Sequence, residues 1–363
     1  MALSKIRSDS LEDTAIHGNR NLVINGAMVV SQRGTDINAL GETGYSADRF
    51  RTRTYGGNGR FDYDQVTDVV PSSTFKYAAK YTVSTAATDV GSFGYSVQQV
   101  IEGHNIAQLR IGRSDAKPFT ISFWARSSVS GTYSSGVTTA FGDISFVTEF
   151  TLVANTWKYI SYTVPAYTTS VPSNLNETNG SGLFFTVIGL ASQTSKQTST
   201  LDAWQSGNFA FSSNQTNFMS ATTRTVHITG VQMEVGEQAT PFEHRSFGDE
   251  LTRCRRYTQV FLGDQTYSEL GGTGIAFSTT NLDVPIQLIP QMRSTPALTN
   301  SGNLQASNAG SGYALTAISL ITQQCSKDVA SVRGITSGMT ANTPHRIESA
   351  NNTTARVILS AEL

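Results

Sequence analysis

Along most of the chain, apolar side chains recur at every second position, in runs of strand length closed by Gly, Ser, Asn and Pro. The clearest run is 119–124, where Phe119, Ile121 and Phe123 alternate with Thr120 and Ser122, the pattern of a strand with one buried face. Runs at 76–83, 93–101, 145–153, 157–164 and 183–190 have similar length and are rich in β-branched and aromatic residues. No helical period separates them, so residues 21–245 predict an antiparallel β-sandwich of jelly-roll type rather than a parallel α/β sheet. Within 225–235 the apolar positions are Val226 and Ile228, then Val231, Met233 and Val235, a one-residue slip across Thr229-Gly230. A β-bulge at Gly230 restores the phase by returning the later side chains to the core; two strands with a tight bend are the other solution.

The period changes after His244. Phe247, Leu251, Cys254 and Phe261 fall on one helical face, which predicts a linker helix within 246–263. Ser246 with Asp249 resembles a capping box, and Gly263 suits the stop. Strand-like texture then resumes at 274–277, 285–289, 314–321 and 356–360, so residues 264–363 form a second, small C-terminal β domain. The fold class is all-β: a sandwich and a small β domain joined by one short helix. Residues 1–20 carry six charges and only scattered Leu3, Ile6, Leu11 and Ile16, too few for a core. They read as an arm, either docked on a partner subunit or frayed.

Composition sharpens this picture. Charged residues are only 15%, and polar uncharged residues and Gly fill the gap, as in short strands joined by polar turns. Twenty-six basic against 27 acidic residues leave a net charge of −1, so no long-range field draws the protein to nucleic acid or an anionic membrane. No apolar run is long enough to insert into a bilayer, and the charged opening lacks the apolar segment of a signal peptide, which implies assembly in the cytoplasm. Cys254 and Cys325 stand in no metal-ligand spacing and read as two free thiols.

Three stretches carry a resemblance. NLVINGAMVVSQRG (21–34) with YSADRF (45–50) resembles the opening of the carbohydrate-binding-module-like domain of tailed-phage tail-fibre and virion structural proteins. QMEVGEQATPFEHRSFGDELTRCRRY (232–257) is similar to the segment that closes that domain, and PQMRSTP (290–296) with the terminal SAEL looks like their C-terminal domain. Phe50 stands where the family usually has Trp, and Arg255 where it has Gln. The resemblance implies a virion-located fibre subunit, a homo-oligomer and most simply a trimer, with a jelly-roll module and a distal tip. The implied partners are other virion proteins through the arm and a host-surface glycan or receptor.

The residues offer little chemistry. His17, His104, His227, His244 and His345 stand singly, outside HExxH or HxH spacing, and no GxSxG, Walker or dinucleotide motif occurs, so neither metal nor cofactor is expected and the protein reads as non-enzymatic. His227 is expected at the surface or rim of its strand. Asp62 and Asp64 would share a face of an extended strand, the one pair open to a depolymerase reading. Glycan binding wants aromatic platforms beside amides and carboxylates. The richest such stretch holds Asp202, Trp204, Gln205 and Asn208, with Tyr133 and Tyr167 in similar turn-rich surroundings, whereas Trp204 as a plug of the sandwich edge is the competing fate. Trp124 and Trp157 read as structural. Phe242, Phe247, Leu251 and Phe261 are expected at inter-domain or subunit contacts. A decoration or adaptor protein of the same particle is the nearest alternative function.

Overall fold

The computed structural model describes residues 19–363 except 93, 140 and 141, so all but Asn19 and Arg20 of the expected arm lies outside the described residues. Two compact units divide the chain: one runs to Phe247 and includes Leu363, and the other is Gly248–Glu362.

The first unit contains β1 (Asp36–Leu40), β2 (Phe50–Arg53), β3 (Arg60–Val66), β4 (Ala78–Thr85), β5 (Tyr95–Glu102), β6 (Phe119–Ser127), β7 (Gly131–Thr139), β8 (Ile144–Leu152), β9 (Lys158–Val164), β10 (Ser181–Ala191), β11 (Gln197–Thr198), β12 (Trp204–Ser206), β13 (Phe211–Ser212) and β14 (Thr225–Val235). Two six-stranded antiparallel sheets, β1-β3-β4-β14-β6-β9 and β12-β8-β7-β10-β5-β2, face one another as a jelly-roll sandwich. Alternation does the sorting. Phe119, Ile121 and Phe123 of β6, Phe61 and Tyr63 of β3, and Leu183 and Phe185 of β10 are fully buried in the shared core. The bulge is present: Thr229 faces Trp124 and Gln232 faces Ser122, so β14 spends one more residue than β6 over that interval. Gly230 accommodates it at φ +62°, where a side chain is strained. Val226, Ile228, Val231 and Met233 consequently all reach the core.

Residues 21–34 form no strand but thread through the sandwich as a hydrogen-bonded plug. The Asn21 side chain donates to Val231 O at 3.1 Å and accepts from Met233 N at 3.0 Å, while Asn25 donates to Val30 O and Asp48 O. A Cβ on Gly26 would lie 2.0 Å from Val231 O, so only glycine fits there. Asp48 and Arg49 are both buried; Asp48 accepts from Gln32 N and Arg49 donates to Val100 O.

Helix α1 is a single turn (Gly103–Ile106) and α2 is Phe247–Arg255. The linker helix is shorter than its periodicity suggested. After a turn closed by Tyr257 N on Cys254 O, the β-forming run Thr258–Leu262 pairs with the C-terminal strand, so Phe261 faces Val357 across a sheet instead of sharing the α2 face. Cross-strand pairing outweighs the local helical period. Phe247 is exposed, Leu251 half-buried and Cys254 buried, and neither Cys254 nor Cys325 is in a disulfide.

The second unit comprises β15 (Thr258–Leu262), β16 (Glu269–Ala276), β17 (Asn281–Gln287), β18 (Ala297–Ser301), β19 (Leu304–Asn308), β20 (Ser311–Ala314), β21 (Ala317–Leu320), β22 (Val329–Ile335), β23 (Thr343–Ser349) and β24 (Arg356–Ser360). Sheet β15-β24-β18 accompanies a seven-stranded sheet, β20-β19-β23-β16-β17-β22-β21. The expected strand 314–321 is broken: Leu315 and Thr316 turn the chain from one edge strand, β20, to the other, β21. Leu315 N bonds Leu304 O and Thr316 N bonds Ile335 O. Two residues cannot span an open seven-stranded sheet, whose strands lie about 5 Å apart, so the sheet is rolled until its edges meet.

Candidate functional site

A cleft of about 500 Å³ lies on the outer face of the first sheet of the first unit, a size that suits a small ligand. Strand alternation supplies one wall. Because Phe119, Ile121 and Phe123 point inward, Ser122 and Trp124 point outward, and register places Tyr159 of β9 beside Trp124. Their rings sit 5.3 Å apart at 50°, and Tyr159 is 42% exposed. The opposite wall is a second aromatic group: Phe242 lies 5.3 Å from Phe75 and 4.8 Å from His244. The bulge leaves Gly230 between the walls. A Cβ there would meet Phe75 Cζ at 2.7 Å and Trp124 Cδ1 at 3.3 Å, so the missing side chain keeps the floor open.

The wall formed by residues 240–244 is fixed by buried polar groups of β14. The Gln232 amide donates to Thr240 O at 3.2 Å and accepts from Glu243 N at 2.8 Å, and Glu234 accepts both Thr240 N and Thr240 Oγ1. Gln232 and Glu234 are 0% and 2% exposed on the solvent side of the sheet, because this segment covers them. Although burial alone raises the Glu243 pKa, the Asn21 and Asn19 N–H groups with Arg245 and Arg20 hold it below the usual carboxylate range. The cleft therefore offers aromatic faces on a rigid frame, with Ser122 and Thr74 hydroxyls and the His244 imidazole at its lining.

The sequence-selected residues lie elsewhere. Trp204 is in β12, its ring packed against Phe146 and Tyr167 at 6.0 and 5.6 Å, and its indole N–H donates to Pro165 O at 2.7 Å. Gln205 accepts from Thr198 Oγ1 and donates to Thr200 O. Asp202 is exposed at φ +57°, and Asn208 is half-buried against the backbone of Gly142. The four share one loop-and-edge region, but Trp204 and Gln205 spend their polar groups inside the fold. Tyr133 is not at a turn: it is fully buried in β7 and shares a hydrogen bond with Ser127 at 2.8 Å. Tyr167 is a half-buried neighbour of Trp204. Phe242, expected at a module contact, lines the cleft.

Other expectations change too. His227 is only 3% exposed, not a rim residue, because Trp157 closes over it with ring centroids 6.1 Å apart. Burial, reinforced by Arg126 and Lys80, pushes its pKa down to about 4. Asp62 accepts from Ala39 N, and Asp64 pairs with Lys80 at 2.9 Å, so each is held by structural contacts. Among the described residues, no three His, Cys, Asp or Glu side chains gather as a metal centre, and no helix is long and apolar enough to cross a membrane. The cleft residues Phe75, Tyr159 and His244 were not singled out from sequence. A signal existed in Trp124, a large aromatic falling in phase with the polar positions Thr120 and Ser122.

No protein-family profile matches the chain, and no curated protein does. Solved carbohydrate-binding modules resemble it in three dimensions. A family 4 module shares 15% identity over 58% of this chain and 98% of its own, at a TM-score of 0.30. A xylan-binding family 22 domain from Paenibacillus barcinonensis shares 10% over 62% and 100%, at 0.28. A family 61 module solved with β-1,4-galactotriose shares 12% over 61% and 100%, at 0.27. At these scores the likenesses assign neither an architecture nor a ligand to this chain.

Proposed function

We propose that the first unit is a non-catalytic carbohydrate-binding module whose cleft holds an oligosaccharide between the Trp124–Tyr159 pair and the Phe75–Phe242–His244 wall, and that the chain serves as a tail-fibre-type virion subunit adsorbing to a host-surface glycan as a homo-oligomer. The observation that carries the binding reading is the cleft itself. Sugar rings present C–H faces that stack on aromatic side chains, and their hydroxyls seek groups such as Ser122 and His244. The support for the virion role is the resemblance of residues 21–34, 45–50 and 232–257 to fibre proteins.

Glycan-array screening of the full chain, followed by calorimetry on the best oligosaccharide, tests the binding reading. Removing a central aromatic costs about 2 kcal/mol, so Trp124→Ala is expected to weaken binding roughly 30-fold. Undiminished binding by a folded Trp124→Ala protein would remove the cleft from consideration. Locating the protein in intact particles by cryo-electron microscopy separates a fibre from a decoration or adaptor protein. Light scattering at micromolar concentration tests the trimer, which a monomer would exclude.

A further inference from the structure

The second unit carries a cleft of its own, about 470 Å³, on the outer face of the rolled sheet. Here β19 and β23 sort their side chains cleanly. Leu304, Ala306 and Ile347 face the core, while Gln305, Ser307, Arg346 and Glu348 lie on the opposite face, with Gln305 opposite Glu348 and Ser307 opposite Arg346. Glu348 is only 4% exposed although it belongs to the outer face. Its carboxylate accepts from the Gln305 amide at 2.7 Å and from Arg346 Nε at 3.0 Å. Arg346 also reaches Ser307 Oγ at 3.1 Å and Glu269 at 3.0 Å. Each carboxylate oxygen can accept two hydrogen bonds, so Glu348 retains acceptor capacity within a fixed array.

Two further features shape the space beside this array. Gly312 faces it without a side chain, and a Cβ there would lie 2.7 Å from the Gln305 amide, so glycine keeps the space above Gln305 open. Tyr267 lines the same cleft, 54% exposed, on backbone held at φ +60°. Such backbone is sparsely populated by non-glycine residues and here belongs to the turn that presents the ring to the cleft.

We propose that this cleft is a second saccharide site, independent of the first, that takes a single neutral sugar ring with vicinal hydroxyls. Glu348 accepts from a hydroxyl pair, Gln305 and Ser307 complete the hydrogen bonding, and the Tyr267 ring covers an apolar C–H face. The ligand is neutral because the three charged groups, one arginine and two glutamates, carry a formal sum of −1 that opposes an acidic sugar.

The test uses the full chain in a Trp124→Ala background, in which the first cleft is weakened roughly 30-fold. Saturation-transfer NMR and calorimetry are run with methyl glycosides of galactose, glucose, mannose and N-acetylglucosamine, and with N-acetylneuraminic acid as the anionic probe. At least one neutral glycoside is expected to bind with a Kd on the order of 1 mM, and at least about tenfold more weakly after Glu348→Gln or Tyr267→Ala. Tyr267→Ala removes an exposed ring, so it remains informative if Glu348→Gln fails to fold. Absence of binding by every neutral glycoside, preference for the acidic sugar, or indifference to Tyr267→Ala would overturn the proposal. Survival of the binding with Trp124 removed separates this site from failure of the first.

Discussion

Lowering the pH from about 7 to about 4 is expected to cost the first unit about 3 kcal/mol through one side chain, His227. The buried imidazole keeps its pKa near 4 in the fold, against an ordinary value of 6.5. Above the ordinary value both folded and unfolded chains hold it neutral, and its titration contributes no difference. Between 6.5 and 4 the unfolded chain takes up a proton that the folded chain refuses, so stability falls by about 1.4 kcal/mol per pH unit, about 2 kcal/mol by pH 5 and about 3 by pH 4. The physical origin is the Trp157 lid over a ring whose nearest cationic neighbours, Arg126 and Lys80, further oppose protonation, while Asp68 and Asp64 offset part of it. Urea unfolding of the wild type and His227→Gln across this range isolates the contribution, because carboxylate titration is common to both proteins. The wild type should lose the additional 3 kcal/mol, and the His227 ring proton in NMR should titrate well below pH 5. A ring titrating at about 6 or higher, or identical pH slopes for the two proteins, would refute the reasoning.

Other substitutions test the frame of the site. Gly230→Ala places a Cβ against Phe75 and forces a side chain onto φ +62°; it should cost about 1–2 kcal/mol in denaturant midpoint and close the cleft floor, weakening oligosaccharide binding by calorimetry. Gln232→Ala unpairs Thr240 O and Glu243 N. It is expected to cost about 1–3 kcal/mol and to increase hydrogen exchange in residues 240–244. Trp204→Ala removes packing on Phe146 and Tyr167 together with the bond to Pro165 O. A loss of about 3 kcal/mol in thermal or urea unfolding should follow, with cleft binding unchanged; weakened binding by a stable Trp204→Ala protein would return the site to that loop.

The sandwich was legible where apolar side chains on the core face alternate with polar ones on the other, as in β6 and β14, because a period of two records that asymmetry even where the polar face is itself covered. It was hidden where small polar residues and glycine fill both faces. β7 reads Gly-Thr-Tyr-Ser-Ser-Gly-Val-Thr-Thr, yet seven of its nine residues are buried, and Gly136 is required because a Cβ there would lie 2.2 Å from Phe146 O. Local composition suggested a turn, whereas close strand packing demanded small polar residues. The helix was overextended for a related reason: Phe261 continues the apolar spacing, but its partner Val357 lies 96 positions along the chain and no local pattern announces it. The candidate cleft brings together residues from Thr74 to His244. Only Trp124, out of phase with its buried neighbours, carried a local sign, since an aromatic wall built from distant segments exists only once register is set. The Trp204 loop has the composition of a sugar site, but composition does not record that its indole and amide are already bonded within the fold.

The two-residue step at Leu315 and Thr316 bears on how this chain meets others. Free strand edges are where polypeptides add to one another through backbone pairing. In the second unit the outermost strands β20 and β21 are drawn together at that step, leaving little room for a foreign strand to be grafted. Any association through the rolled sheet must then be read from side chains, whose shape and charge can select a mate, rather than from the main chain, which all proteins share.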